Sequence, residues 1–259
     1  MIKDHILSVQ KLRKREGREK TGCTIVEGYP EVRRAYFSKV PVEQFYVCPE
    51  LIDLKPGEFS EWKATKVSKE DFAAMAFGKR LKGILAVCKP VRTPLDGVRL
   101  PARPLIIVLE QVEKPGNFGS VIRSADGAGA HLVVACDART DIYNHHVVRS
   151  STGTLFTVPT VACGKNELLE FLRKKKIPVV VATSRAEDLH YNYDMTGAMA
   201  VIVGNEHDGV SDFWLEHADA KIRIPMRGDA ACLNVAHSAS ILMYEALRQR
   251  TLEVLSQNE

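Results

Sequence analysis

The sequence lacks any long hydrophobic run. No apolar segment approaches the ~18 residues that a membrane-spanning helix requires, and residues 1–20 contain no apolar core of the signal-peptide type. We therefore expect a cytoplasmic protein that does not enter membranes. The chain has 259 residues, of which 45% are hydrophobic and 26% are charged, which is typical of a globular protein with one large domain or two modest ones.

Closely spaced metal ligands are also missing. The six cysteines form no Cys-x-x-Cys pair, and the adjacent His145 and His146 would point in different directions on a helix or a strand. Zinc sites need ligands clustered at short spacing. We therefore predict reduced, mostly packed cysteines and no metal site.

Positive charge is concentrated in the first part of the chain. Residues 1–100 contain 20 Lys and Arg against 13 Asp and Glu, a net charge of +7, whereas residues 101–259 contain 16 against 19, a net charge of −3. A basic module joined to a nearly neutral one suggests a bound polyanion, although a solvated helix face would give the same pattern. The densest cluster, KLRKREGREK, provides the candidate contacts Lys11, Arg13, Lys14, Arg15 and Arg18.

A proline-rich linker at 91–104 divides the chain, because it can form neither a helix interior nor a central strand. In residues 1–90, the strand segments CTIVEG, QFYVC and GILAVC alternate with the helix segments PEVRRAYFS and KEDFAAMAF. This alternation predicts a small α/β/α domain.

The second predicted domain, residues 105–259, contains continuous apolar runs. Such runs are typical of parallel strands covered on both faces: LIIVLE, HLVVAC, LFTVPTV, IPVVVAT, AMAVIVG and KIRIP. Predicted helices at 117–128, 165–175, 211–217 and 233–252 separate most of them. The order predicts an α/β fold with a parallel sheet, in which ligands bind at the carboxyl ends of the strands.

The first segment that follows such a strand is QVEKPGNFGSVIRSADGAGA. Its turn, GNFG, lacks one glycine of the dinucleotide-binding fingerprint, which disfavours a Rossmann-type NAD(P) enzyme. Asn117 and Arg123 are the polar residues of interest, and we expect both to face one side of a helix. Arginine can bind a phosphate with two hydrogen bonds. The same pattern would also arise from a surface arginine and a helix-capping asparagine without a functional role.

Two further segments follow strands. VIVGNEHDGVSD contains Gly204, Glu206 and Gly209, and its glycines allow a ligand to approach the backbone closely. IRIPMRGDAACLNVAHSAS leads from a strand through a polar loop to Asn234 at a helix start. Either segment could also be a plain strand–helix connection with a capping residue.

Taken together and in this order, the three segments resemble the SpoU/TrmH family of RNA 2′-O-ribose methyltransferases, in the SPOUT superfamily. The family's Asn-x-Gly-x-x-x-Arg pattern is matched at Asn117, Gly119 and Arg123, its Gly-x-Glu-x-x-Gly pattern by GNEHDG, and its Ile-Pro-Met and Leu-Asn-Val patterns by IPM and LNV. Two family serines are replaced by Cys232 and Ala236. In residues 1–90, VEGYPEVRRAY and GILAVC resemble the L30e-like substrate-binding domain that often precedes this family's catalytic domain.

The resemblance implies a fold and a cofactor. The expected fold is α/β, with a parallel sheet and a C-terminal trefoil knot. The expected protein works as a homodimer with the active site at the interface. The knotted loops would hold S-adenosylmethionine. The implied cofactor contacts, many of them through the backbone, are Thr183, Gly204, Ile224, Met226 and Leu233.

The implied reaction is methyl transfer to a ribose 2′-hydroxyl. The residues implied for it are Arg123, Asn117, Glu206 and Asn234. Arg123 either removes the hydroxyl proton or grips an RNA phosphate and aims the ribose. A free guanidinium group holds its proton tightly, so the second role is at least as plausible chemically.

Several alternatives stay open at this point. A structured ribosomal RNA of 23S type is the expected substrate, because a separate basic domain suits a large target, and tRNA is the alternative. The changes at Cys232 and Ala236 also allow a catalytically weak RNA-binding protein with the same fold, although Asn117, Arg123 and Asn234 are all present.

Overall fold

The computed structural model describes residues 2–78, 80–205 and 207–256. The chain divides into two compact units. The first contains residues Met1–Arg92 and Tyr143–Thr157, and the second contains Thr93–Ile142 and Val158–Glu259. The segment Tyr143–Thr157 therefore packs with the first unit, although it lies in the middle of the second predicted domain.

The helices and strands are as follows. The helices are α1 (Ile2–Lys11), α2 (Arg15–Thr21), α3 (Tyr29–Phe37), α4 (Lys69–Met75), α5 (Pro115–Ala128), α6 (His145–Ser150), α7 (Lys165–Lys174), α8 (Asp212–His217) and α9 (Val235–Ser256). The strands are β1 (Thr24–Glu27), β2 (Val42–Val47), β3 (Ala64–Lys66), β4 (Ile84–Cys88), β5 (Leu105–Glu110), β6 (Leu132–Cys136), β7 (Thr160–Cys163), β8 (Val179–Ala182), β9 (Asp188–Leu189), β10 (Met199–Val203) and β11 (Ala220–Arg223). No helix in these described ranges is long and apolar enough to cross a membrane.

The first unit is built on a mixed sheet with the strand order β1-β4-β2-β3. β4 is antiparallel to β1 and β2, whereas β2 and β3 are parallel. Helices α1 and α4 pack together over a core that includes Val9, Tyr46 and Phe72. Helix α6 packs against β1, because it buries Val147 and Val148. This contact is the physical reason why Tyr143–Thr157 belongs to the first unit.

The second unit is built on a sheet with the strand order β7-β6-β5-β10-β8-β11-β9, and its strands pair in parallel. All residues of β5, β6 and β10 are buried, as expected for a sheet covered on both faces. The predicted α/β fold with a parallel sheet is confirmed.

One predicted strand is shorter than expected. Leu155 and Phe156, the first two residues of LFTVPTV, belong to a 3₁₀ turn that begins at Thr154, and β7 begins only at Thr160. Pro159 has no N–H to donate to a strand ladder, which is why the strand starts only after it. Within the preceding turn, the Thr154 hydroxyl donates to the carbonyl of Ser151 at 2.9 Å.

Helices α5 and α9 pack against each other in the second unit. The Ser240 hydroxyl of α9 donates to the Ser124 hydroxyl of α5 at 2.7 Å. Helix α9 also contacts β5 and β10. The chain therefore crosses from β11, near one edge of the sheet, back to its centre before it forms α9.

Candidate active site

The strand order brings the three predicted segments to one end of the sheet, where the carboxyl ends of its parallel strands lie. Strands β5, β10, β8 and β11 are consecutive neighbours and all run in the same direction. Helix α5 follows β5, Gly204 follows β10, Thr183 follows β8 and Ile224 follows β11. The carboxyl ends of neighbouring parallel strands are where α/β sheets bind ligands.

The loop after β10 is folded tightly back on itself. Asn205 and Gly209 form an isolated β-bridge, and the side-chain oxygen of Asn205 accepts hydrogen bonds from the backbone N–H groups of His207 and Asp208 at 2.8 and 2.7 Å. A Cβ atom on Gly204 would lie 2.0 Å from the carbonyl carbon of Gly209. Position 204 therefore excludes every residue with a side chain. The candidate Glu206, in the same loop, lies outside the described residues.

A buried carboxylate fixes the far end of this loop. Glu110, the last residue of β5, is 2% exposed, and it accepts hydrogen bonds from the backbone N–H and the hydroxyl of Ser211 at 2.8 and 2.5 Å. Glu110 was not among the site residues predicted from the sequence. A glutamate that ends an otherwise apolar buried strand was the signal that could have revealed it.

Asn117 and Asn234 are brought together although 117 residues separate them in the chain. The Asn234 side-chain amide donates to the side-chain oxygen of Asn117 at 3.3 Å. The Asn234 oxygen accepts from the backbone N–H of Ala236 at 2.9 Å, which caps the start of α9. One polar pair therefore joins the starts of α5 and α9.

Arg123 does not share a face of α5 with Asn117. Residues six apart on an α-helix differ in direction by about 120°, which corrects the expectation from the sequence. Asn117 is half-buried and Arg123 is exposed. Arg123 therefore presents its guanidinium group to solvent on the adjoining face.

The residues expected to contact the cofactor are of mixed chemistry. Ile224, Met226 and Leu233 are half-buried apolar side chains. The backbone N–H of Thr183 donates to the carbonyl of Ile222 at 2.9 Å, which ties the end of β8 to β11. Half-buried apolar side chains together with polar backbone groups after three strands suit the chemistry of an adenosine-containing ligand, so these residue types fit S-adenosylmethionine. The described residues include no group of three or more His, Cys, Asp and Glu able to hold a metal ion.

Two of the five basic candidates in the first unit serve the fold. Arg18 is 3% exposed, and its guanidinium donates to the carbonyls of Leu12 and Arg13 at 2.9 and 3.0 Å. Arg13 donates to three carbonyls at the end of α4, those of residues 74–76. The expectation that Arg18 contacts a polyanion is therefore wrong, because its side chain is buried and hydrogen-bonded to the backbone.

The other three basic candidates are exposed. Lys11 and Lys14 lie on the surface, and Arg15 pairs with Glu19 at 2.7 Å within α2. Surface pairs of this kind contribute little stability, so all three cations remain accessible to a polyanion.

Known protein families match both parts of the chain. The SpoU rRNA Methylase family model matches residues 104–244, and the model of an MRM3-like substrate binding domain matches residues 3–86. A 23S rRNA (uridine(2479)-2′-O)-methyltransferase of Streptomyces viridochromogenes is 35% identical over 68% of this chain and 64% of its own length. RlmP of Bacillus subtilis strain 168, a 23S rRNA (guanosine(2553)-2′-O)-methyltransferase, is 30% identical over 91% of this chain and 92% of its own length. The solved structure of the SpoU methyltransferase AviRb from S. viridochromogenes in complex with AdoMet has a TM-score of 0.86 at 26% identity, covering 95% of this chain and 98% of that one.

A parallel sheet with these three segments at its strand ends defines a class of RNA methyltransferases. The chain belongs to the SpoU rRNA methylase family, whose model matches more than half of its length. The predicted family, the predicted enzyme class, an RNA 2′-O-methyltransferase, and the predicted cofactor, S-adenosylmethionine, are confirmed.

Proposed function

We propose that this chain methylates a ribose 2′-hydroxyl in a structured ribosomal RNA of the 23S type. The observation that carries the proposal is the shared edge of β5, β10, β8 and β11, where the three motif segments meet. The two relatives described above are named for 2′-O-methylation of 23S rRNA. A basic first unit supports a large RNA target, since its phosphates dominate nucleic-acid affinity.

The cofactor side of the proposed site lies on β8, β10 and β11. We assign S-adenosylmethionine to the surface made by Thr183, Gly204, Ile224, Met226 and Leu233. When bound, this cofactor supplies an electrophilic methyl group. The half-buried apolar side chains would exclude water around it, and the loop after β10, held by Glu110 and Ser211, would fix its backbone contacts.

The RNA side of the proposed site lies on α5 and the start of α9. Arg123 is exposed and sits one helix face away from the Asn117–Asn234 pair. In the proposed mechanism its guanidinium grips the phosphate beside the reacting nucleotide with two hydrogen bonds. The asparagine pair would position the ribose so that its 2′-oxygen could accept the methyl group that the cofactor supplies. The cofactor's sulfur would keep the electron pair of the broken sulfur–methyl bond, and the hydroxyl proton would pass to water. Glu206 belongs to the proposed site by its place in the motif.

Further features of the family extend the proposal. We assign to this chain a C-terminal trefoil knot, supported by the return of the chain from β11 to α9, and a homodimer with the active site at its interface. The first unit, as an L30e-like domain, would bind the RNA through Lys11, Lys14 and Arg15. The proposed location is the cytoplasm, where ribosomal RNA is found.

The substitution Arg123→Lys tests the phosphate clamp. A lysine keeps the charge but not the planar fork, so we expect RNA binding near the wild-type level and methyl transfer reduced about 100-fold, as for a misplaced substrate. Transfer of tritiated methyl groups to a 23S rRNA transcript measures this. If Arg123 were the base, lysine, which loses its proton more readily, would retain activity, and such a result would contradict the clamp.

The same assay with tRNA and with 23S rRNA identifies the substrate. Preferential methylation of tRNA would overturn the ribosomal assignment. Binding of S-adenosylmethionine by calorimetry, without transfer to any RNA, would indicate an RNA-binding protein with weak or no catalysis.

A further inference from the structure

A second polar site lies inside the first unit, apart from the strand ends described above. A cavity with about 450 Å³ of space, including its opening to solvent, lies between β1, α3, α6 and the segment after α4. Its walls combine carboxylates, cations and aromatic rings, and the side chains that matter here are Glu27, Glu31, Phe77, Lys82, His145 and Arg149. No part of the reaction proposed above uses them.

His145 is a buried polar ring in the cavity wall. It is 7% exposed, and neither of its ring nitrogens has a hydrogen-bond partner among the residues that the structure describes. Burial, together with neighbouring cationic groups, lowers the pKa of His145 to about 3, so the ring is neutral near pH 7 and offers one donor and one acceptor. Buried polar atoms are normally satisfied, and the cavity is the place from which a partner can reach this ring.

Glu31 is held in the cavity wall by close backbone packing. It is 8% exposed. A Cβ atom on Gly28 would lie 2.5 Å from the Glu31 Oε2 atom, and one on Gly153 would lie 2.8 Å from its Cα atom. Two glycines therefore make room for this one buried carboxylate, which fixes its position before any ligand arrives.

The carboxylates of the cavity keep unused acceptor capacity. Glu27 accepts one hydrogen bond, from the backbone N–H of Phe77 at 2.6 Å. Burial raises the pKa of both Glu27 and Glu31. Within the described part of the chain, no ion pair of 4 Å or less joins either carboxylate to Lys82 or Arg149. A ligand that donates hydrogen bonds would satisfy these oxygens.

The mixture of groups selects a class of ligand. The half-buried ring of Phe77 lies over the His145 ring at an interplanar angle of 35° and offers the cavity an aromatic surface, on which unpaired bases of RNA commonly stack. Lys82 and Arg149 suit a phosphate. Guanine alone among the common bases has two neighbouring donors, N1–H and N2–H₂, that can face one carboxylate, whereas adenine, cytosine and uracil each present a single donor group at that edge.

We infer that this cavity holds an unpaired guanosine of the RNA substrate, with the base edge on a glutamate and the phosphate on Lys82 and Arg149. The inference rests on the proposed function, because that function supplies the RNA. It assigns to the first unit a base-reading site in addition to its general attraction for phosphates.

A binding experiment without the methyl donor tests this inference. The probe is a fluorescent hexauridine with one central guanosine, compared by anisotropy with the same RNA carrying inosine, which lacks the 2-amino group. We expect the wild-type chain to bind the inosine RNA about tenfold more weakly, as for loss of part of a bidentate base contact. Glu31→Gln should remove that difference, whereas Glu61→Gln, at an exposed glutamate of the same unit, should retain it.

Two results would overturn the inference. One is equal affinity of the wild-type chain for the two RNAs, and this measurement does not depend on the folding of any variant. The other is an undiminished guanosine preference in both Glu27→Gln and Glu31→Gln, with melting curves showing that both variants are folded. A chain that prefers guanosine but transfers no methyl group would contradict only the proposed function.

Discussion

At the scale of single residues, Asn234 combines two contacts that the sequence presented as alternatives. Its oxygen caps α9, and its amide reaches Asn117 at the start of α5. A helix-entry role and a place in the candidate site are therefore compatible, because the two ends of one amide serve them separately.

Replacing Asn234 separates these roles. Asn234→Ala removes the cap, so the free energy of unfolding should fall by about 1 kcal/mol. Methyl transfer should fall too, because the contact with Asn117 is lost. Asn234→Asp keeps an acceptor for the Ala236 N–H, so thermal unfolding should change little while methyl transfer still falls. Wild-type activity in the aspartate variant would show that Asn234 only caps the helix.

Arg18 and Lys14 lie close in sequence but are expected to behave differently. Arg18→Met leaves the carbonyls of Leu12 and Arg13 without their donor, so we expect a loss of about 1–3 kcal/mol in the free energy of unfolding. Lys14→Met, at an exposed position, should leave stability unchanged and reduce the salt dependence of RNA binding by about one counterion. Denaturant titration and filter binding at several salt concentrations measure the two effects. Equal stability losses would contradict the distinction.

At the scale of secondary-structure elements, the loop after β10 depends on one close backbone approach. Gly204→Ala would place its new Cβ atom 2.0 Å from Gly209, so the loop must open. We expect affinity for S-adenosylmethionine to fall at least about tenfold, which corresponds to about 1.4 kcal/mol, as measured by calorimetry.

The matched control for this substitution is Gly228→Ala. Gly228 lies in the loop after β11, and no atom of the described part of the chain lies within 4 Å of the position of its added Cβ. Its affinity for the cofactor should stay within a factor of two or so of the wild type, on the usual scale of surface substitutions. Equal losses in the two variants would mean that the loop after β10 has no special role.

Continuous apolar runs located β5, β6, β8 and β10 to within two residues, because strands buried on both faces leave that pattern in the sequence. Helix α6 was missed, since HHVVRS is too short to show helical periodicity. The closeness of Asn117 and Asn234 depends on the packing of α5 against α9, which the sequence suggested only through the family motifs. A glutamate at the end of an apolar strand marks Glu110 in the sequence, but its pairing with Ser211 depends on strands that are neighbours in the sheet and far apart in the chain.

At the scale of the whole molecule, stability should respond to acid through His145. Its pKa is lowered to about 3 in the folded chain by burial and is about 6.5 in an unfolded one. Between these values the unfolded chain binds a proton that the folded chain does not, so acidification below neutral pH lowers the free energy of unfolding. Glu27 and Glu31 have the opposite effect on the free energy of unfolding. Burial raises their pKa, so just above the ordinary carboxyl pKa the folded chain binds more protons than the unfolded one, and acidification there raises the free energy of unfolding.

His145→Gln should therefore weaken the acid sensitivity. We expect the melting temperature of the variant to fall less than that of the wild type between pH 7 and pH 5.5, which lies above most carboxyl titration. His237→Gln, at an exposed histidine of α9, should follow the wild type. The melting temperatures are followed by circular dichroism. An equal fall in the wild type and in His145→Gln would show that His145 binds a proton in the folded state as readily as in the unfolded state.

The replacement of a family serine by Cys232 has a practical consequence for spectroscopy. Cys232 is the exposed thiol of the chain, Cys163 is half-buried with its pKa raised to about 12 by burial, and the remaining thiols are buried: Cys23, Cys48, Cys88 and Cys136. Maleimide reagents attack accessible thiolates, so the unaltered protein should take a fluorophore at Cys232, two residues before Asn234. The candidate site thus carries its own labelling position, and changes in its surroundings can be followed by emission without an introduced cysteine.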